Sequence, residues 1–161
     1  MPSSSSSSPS ALVYRYTLSR RFEEGAGTCV FVMLNPSTAD ARRDDPTIAR
    51  CKGFAERWGY ARLEVVNLFA LRATHPADLK RLARTHDVIG PRNDAVLRRT
   101  CRRADRVVAA WGAHGDLLGR ADEVRAMLPH VPWQCLGTTK DGHPRHPGRI
   151  PNATRLVPLG D

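Results

Sequence analysis

The sequence predicts an α/β fold: a three-layer α/β/α sandwich around a central four-stranded, mainly parallel sheet. Two observations lead there. Apolar runs at residues 28–35, 62–69, 106–111 and 133–137 suit strands covered on both faces. Between them lie stretches whose apolar residues recur at helical spacing. The resulting order, β-α-β-α-β-α-β, implies right-handed crossovers with helices on both sides of the sheet.

Each element has a local reason. Residues 11–22, ALVYRYTLSRRF, alternate in part and suit an edge strand or an extended arm. EEGAG is a turn, and TCVFVML is the first core strand. A polar loop, STADARRD, follows. Asp45 then serves as an N-cap and Pro46 as the first helical residue, with Ile48, Cys51, Phe54, Ala55 and Trp58 on one stripe and Gly59 as the stop. RLEVVNLFAL is the second strand, and a short helix is expected near Pro76. Residues 91–105 form a helix with a basic face of Arg98, Arg99, Arg102 and Arg103, which either is solvated or meets nucleic acid. RVVAAWG is the third strand. Residues 116–128 form a helix stopped by Pro129, and WQCLG is the fourth strand. The remaining tail is rich in Pro, Gly and basic residues and shows little periodicity.

The 161 residues suit one domain, residues 11–161, after a Ser-rich tail at 1–10 that is expected to be disordered. That tail has neither a basic nor an apolar segment of the kind a secretory signal needs, and no apolar run approaches the ~20 residues of a membrane span. A cytoplasmic, nucleoid-associated monomer with no membrane partner is expected. Cys29, Cys51, Cys101 and Cys135 form no C-x-x-C pair and read as buried thiols. No metal and no cofactor is expected. The formal net charge of +9 makes a polyanion, nucleic acid first, the leading partner, although a solvated Arg-rich surface is the plain alternative.

In parallel sheets ligands bind beyond the carboxyl ends of the strands. The first strand ends in Asn35-Pro36-Ser37-Thr38. The second carries Asn67. The third ends in Trp111-Gly112-Ala113-His114, and the fourth runs into Thr138-Thr139-Lys140 and GHPRHP, with His143 and His146. The absence of a Gly-rich phosphate fingerprint argues against a dinucleotide domain, and no G-x-S-x-G elbow is present. Taken alone, Asn35 before Pro36 reads first as a strand terminator. Trp111 reads first as a core residue and second as a stacking platform. His143 and His146 share metal-ligand spacing, but no helix presents them. Asn67 is harder to explain structurally, because strands disfavour Asn and a buried amide needs partners.

Residues 14–150 resemble an uncharacterised bacterial family, a domain of unknown function, through MLNPSTADARRDDPTIARC, VVNLFALRATHP, AAWGAHG and LGTTKDGHPRHP. More distantly, the order of motifs resembles the uracil-DNA glycosylase superfamily. MLNPS is similar to its first motif, an apolar strand ending in Asp-Pro or Asn-Pro. EVVNLFALR is similar to its base-reading strand, VVAAWGAHG to its third strand, and GHPRHP to its His-Pro-Ser-Pro loop.

That resemblance implies a glycosylase-like fold and hydrolysis of the N-glycosidic bond of a deaminated or damaged base in DNA. Asn35 would orient the attacking water. His143 or His146 would stabilise the departing base. Asn67 would hydrogen-bond the base edge, with Pro36, Ser37, Phe69, Trp111 and His114 around it. Arg72, Lys140, Arg145 and Arg149 would contact the DNA. An amide cannot accept the water's proton, and Thr138-Thr139 stand where the superfamily's His follows its strand. Two alternatives stay open: an enzyme acting on a nucleotide or modified base, and a non-catalytic nucleic-acid-binding module.

Overall fold

The computed structural model describes residues 14–36, 46–73 and 75–160. The expected N-cap Asp45 and the polar loop after Pro36, Ser37 included, lie outside the described residues.

Among the described residues the chain forms a six-stranded mixed sheet and four α-helices. In chain order the elements are β1 (Leu18–Arg21), β2 (Thr28–Met33), α1 (Pro46–Arg57), β3 (Arg62–Asn67), α2 (Pro76–Leu82), α3 (Asn93–Arg103), β4 (Arg106–Ala109), α4 (Arg120–Met127), β5 (Gln134–Cys135) and β6 (Val157–Pro158). Across the sheet they run β1-β3-β2-β4-β5-β6. The four strands expected from the apolar runs are the inner four, and all three of their pairings are parallel.

The four-stranded expectation is therefore corrected to six. Each edge gains an antiparallel strand: β1 on β3, and β6 on β5. β1 falls inside the segment read as an edge strand or arm. β6 was not expected, because two exposed residues leave no periodic trace; backbone pairing to Gln134 and Cys135 defines it.

Alternation along the inner strands feeds two cores. Val30 and Val32 face one side with α2, α3 and α4, through Leu79, Val96, Leu97 and Val124. Cys29, Phe31 and Met33 face the other, against Ile48, Cys51, Phe54 and Ala55 of α1. Phe31 is fully buried and stacks on Trp58, with ring centroids 6.0 Å apart. Truncating it to Ala should cost about 3–5 kcal/mol. A helix read over 116–128 begins later, at Arg120. A 3₁₀ segment, Gly112–Gly119, precedes it, and Leu118 (φ 57°) and Gly119 (φ 64°) break the helical path between them.

From β2 the chain crosses by α1 to β3, then returns past β2 to β4 on its other side. The order reverses between β2 and β4, so loops leave their carboxyl ends in opposite directions and open a crevice.

Candidate functional site

A cavity of about 380 Å³ occupies that carboxyl edge. β2 and the residues after it supply Met33, Leu34, Asn35 and Pro36, and β3 supplies Val65 and Asn67. The turn after β4 adds Trp111, Gly112, Ala113 and His114. His146 closes one side, and the first turn of α1 adds Thr47 and Ile48. Asn35, Pro36, Asn67, Trp111, His114 and His146, singled out from sequence, thus meet in one place.

Asn67 ends β3 opposite Met33, with 3% of its surface exposed. Among the described residues its side-chain amide has no hydrogen-bond partner, although it lines the cavity. Its backbone is held firmly instead. The carbonyls of Asn67 and Leu68 accept from Asn93 Nδ2 at 2.8 and 3.0 Å, and Leu68 O also accepts from Arg120 Nε at 2.8 Å. Arg120 is 1% exposed, and its other two nitrogens donate to Asp94 and Glu123, each at 2.6 Å. A buried charge needs such partners. The sequence reading missed this clamp. An Arg with carboxylates at positions 94 and 123 looks like any surface helix pair until the fold buries it.

Asn35 is tied down differently. Its Nδ2 donates to the carbonyls of Ala73 at 2.7 Å and Pro36 at 3.0 Å, linking the strand end to the loop after β3. Its Oδ1 is then the group able to accept from a molecule in the cavity. The strand-terminator reading of Asn35-Pro36 holds as well, since β2 stops at Met33.

Trp111 is buried and forms the wall. It meets Trp133 edge to face, with centroids 5.7 Å apart and planes at 73°. Gly115 makes this possible: a Cβ there would lie 2.1 Å from Trp111 Cδ1. Gly112, at φ 75°, turns the chain so that His114 reaches the exposed rim.

His146 is exposed, and its Nδ1 accepts from the Gly148 backbone N–H at 3.1 Å. That bond places the ring proton of a neutral imidazole on Nε2. Arg50 of α1 donates to the carbonyl of Pro147 at 3.2 Å and to Asn152 Oδ1, which docks this segment on α1.

Other expected site residues lie elsewhere. Phe69 is fully buried in the core with Leu79 and Val88, because the chain bends at Leu68 and Phe69 after β3 and turns its ring inward. It does not line the cavity. His143 is also outside it: its backbone N–H and C=O bond Thr139 in a hairpin closed by the Thr138–Pro144 bridge. Lys140 lies exposed near the tip of that hairpin. Arg145 lines a shallow hollow that shares Gly112, Ala113 and His146 with the cavity. Arg72 is half-buried outside the cavity, and Arg149 belongs to a 3₁₀ turn, Pro147–Arg149. Arg15, from the arm before β1, does line the cavity and was not singled out.

All four cysteines are free and buried. Burial pushes the Cys29 and Cys101 thiols up to about 12. Among the described residues no group of three His, Cys, Asp or Glu is placed to hold a metal, and no helix is long and apolar enough to cross a membrane.

No curated protein and no solved structure matches the chain. Residues 15–148 match a family model described as a protein of unknown function, DUF1643, so no match is to a glycosylase. With most of its length covered by that match, the chain belongs to the DUF1643 family.

Proposed function

We propose that the cavity receives a nucleobase extruded from DNA, and that the protein hydrolyses its N-glycosidic bond in the manner of the uracil-DNA glycosylase superfamily. One observation carries the reading: Asn67, almost fully buried, brings to the wall of a cavity an amide that has no hydrogen-bond partner among the described residues. A ligand edge that meets both its donor and its acceptor would gain about 0.5–1.5 kcal/mol for each hydrogen bond. A side-chain amide offers a donor and an acceptor together, the pattern that complements an imide or amide edge of a base. The indole of Trp111 supplies a flat apolar wall beside it.

Asn35 and His146 divide the remaining chemistry. Asn35 Oδ1 accepts a hydrogen bond from water and orients it; an amide cannot remove the proton, so the sugar must develop cationic character before attack. His146, with its Nε2–H as donor, stabilises the negative charge on the departing base, which takes up the proton released when water adds to the sugar cation. His143 takes no part. Arg145 stands beside the opening as a phosphate contact, Lys140 lies exposed on the same hairpin, and the surplus of basic residues draws the polymer in.

A second reading rests on Arg15. A guanidinium at the cavity suits a free nucleotide, whose phosphate it would meet. Oligonucleotides carrying uracil, hypoxanthine, xanthine or a mismatch, incubated with the protein and then treated with alkali, separate the two. Strand breaks that disappear in Asn35→Ala and His146→Ala support the glycosylase. Binding without breaks leaves a recognition module. Absence of both, with binding of nucleoside monophosphates lost in Arg15→Ala, transfers the site to a free nucleotide.

A further inference from the structure

We propose that the outer face of α3 is a second nucleic-acid contact, separate from the base cavity and built for a single strand. α3 begins with Asn93 at the cavity end of the sheet. It ends at Arg103, beside the amino-terminal start of β4, so its last turns lie toward the opposite end of the parallel strands. Those turns carry Arg98, Arg99, Arg102 and Arg103, all exposed, and among the described residues none of the four has an ion-pair partner. They form two adjacent pairs one helical turn apart, about 6 Å along the axis.

Four like charges this close repel one another. The helix dipole offsets the cost only for Arg102 and Arg103 in the last turn. Arg98 and Arg99 need another reason, and a polyanion supplies one. With Ala95 the four line an open hollow of about 510 Å³.

A neighbouring pocket of about 540 Å³ shares Arg98 and Arg102 with that hollow and runs between α3 and the segment after α4. Its other basic residues are Arg106 and His130. Its apolar lining includes Cys101, Met127, Leu128 and Val131. The one carboxylate there, Asp105, already accepts from the Thr28 backbone N–H at 2.8 Å. Apolar floor and cationic border together suit a strand whose phosphates follow the arginines while an unstacked base packs on the floor. Duplex DNA keeps its bases stacked inside and would use only the arginines. An acidic polypeptide would satisfy the charge but not the apolar floor.

The test is fluorescence anisotropy on labelled dT20 with the full chain and with the variant Arg98→Gln, Arg99→Gln, Arg102→Gln, Arg103→Gln. Gln preserves length and helix propensity at exposed positions and relieves the repulsion, so melting should be unchanged or slightly raised. At about 0.1 M salt the variant should bind dT20 at least ~10-fold more weakly. Its log affinity should also fall less steeply with log salt, by about 3 for four lost contacts. None of the four arginines lines the base cavity, so weaker binding in this variant reports on the α3 face and not on the cavity. Unchanged affinity and unchanged salt dependence in the fourfold variant would overturn it. So would displacement of dT20 by polyglutamate at an equal concentration of charge, which would assign the face to an acidic protein.

Discussion

The side chain of Asn93 donates to the carbonyl of Asn67 at 2.8 Å and, through the same nitrogen, to that of Leu68 at 3.0 Å. One buried amide on α3 thereby fixes the point where β3 delivers Asn67 to the cavity. Asn93→Leu should remove both bonds and destabilise the fold by about 1–3 kcal/mol. Chemical denaturation measures this. A change within a few tenths of a kcal/mol would mean that the two carbonyls find other partners.

Arg120 is held by carboxylates that are themselves about half exposed, at 51% for Asp94 and 59% for Glu123. Removing the acids strands a buried guanidinium, whereas removing the guanidinium leaves acids that water can reach. The double variant Asp94→Asn, Glu123→Gln should therefore melt lower than Arg120→Met. Leu68 O keeps its bond to Asn93 in the second case, which softens the loss further. The reverse order of melting temperatures would show that Arg120 contributes mainly through its hydrogen bond to Leu68.

Gly115→Ala places a methyl group where Trp111 lies. The indole must shift, and the cavity wall shifts with it. A stability loss of about 1–3 kcal/mol is expected, with a displaced Trp emission maximum. An unmoved emission spectrum and a native melt would contradict the packing described for this wall.

Cys29 and Cys101 hold their protons more tightly in the fold than outside it, at about 12 against an ordinary 9.0. A raised folded value means that their contribution is complete below about pH 9, where the unfolded chain also keeps the proton. It is lost progressively as pH rises toward 12. Stability should fall over that window, and less so in a Cys29→Ala, Cys101→Ala variant once each is compared with its own value at pH 8. Native protein at pH 8 should also resist thiol reagents at all four cysteines until it is unfolded. Fast labelling of the native state would contradict their burial.

The inner sheet was legible because doubly covered strands must be continuously apolar, and VVAAW and TCVFVM could be little else. The edges were not. β6 is two exposed residues, and only pairing with Gln134 and Cys135 makes it a strand. The cavity was legible in part for a topological reason: parallel strands direct their carboxyl ends to one side, so Asn35, Asn67 and Trp111 had to be neighbours. Side-chain direction was harder. Phe69 follows Asn67 by two residues, a spacing that puts both on one face of a strand, but the chain bends after β3 and buries the ring. Between the two histidines only geometry chooses, since the Thr138–Pro144 bridge takes His143 into a hairpin and leaves His146 at the cavity. Arg120, Asn93 and Arg15 left no signal, because what distinguishes them is burial or contact across distant segments.

The most direct test of the central claim uses Asn67→Asp. The change turns the amide's donor into an acceptor without altering its size. The measurement is the dissociation constant for whichever modified-base oligonucleotide the parent protein binds best, taken with the melting temperature of the same sample. A base-reading Asn67 predicts affinity weakened by roughly 5- to 150-fold, equivalent to about 1–3 kcal/mol. The melt should stay close to that of the parent, because water in the cavity can solvate the new carboxylate. Undiminished binding would remove Asn67 from recognition. A collapsed melt would show instead that its amide belongs to the core, since a charge there cannot be accommodated.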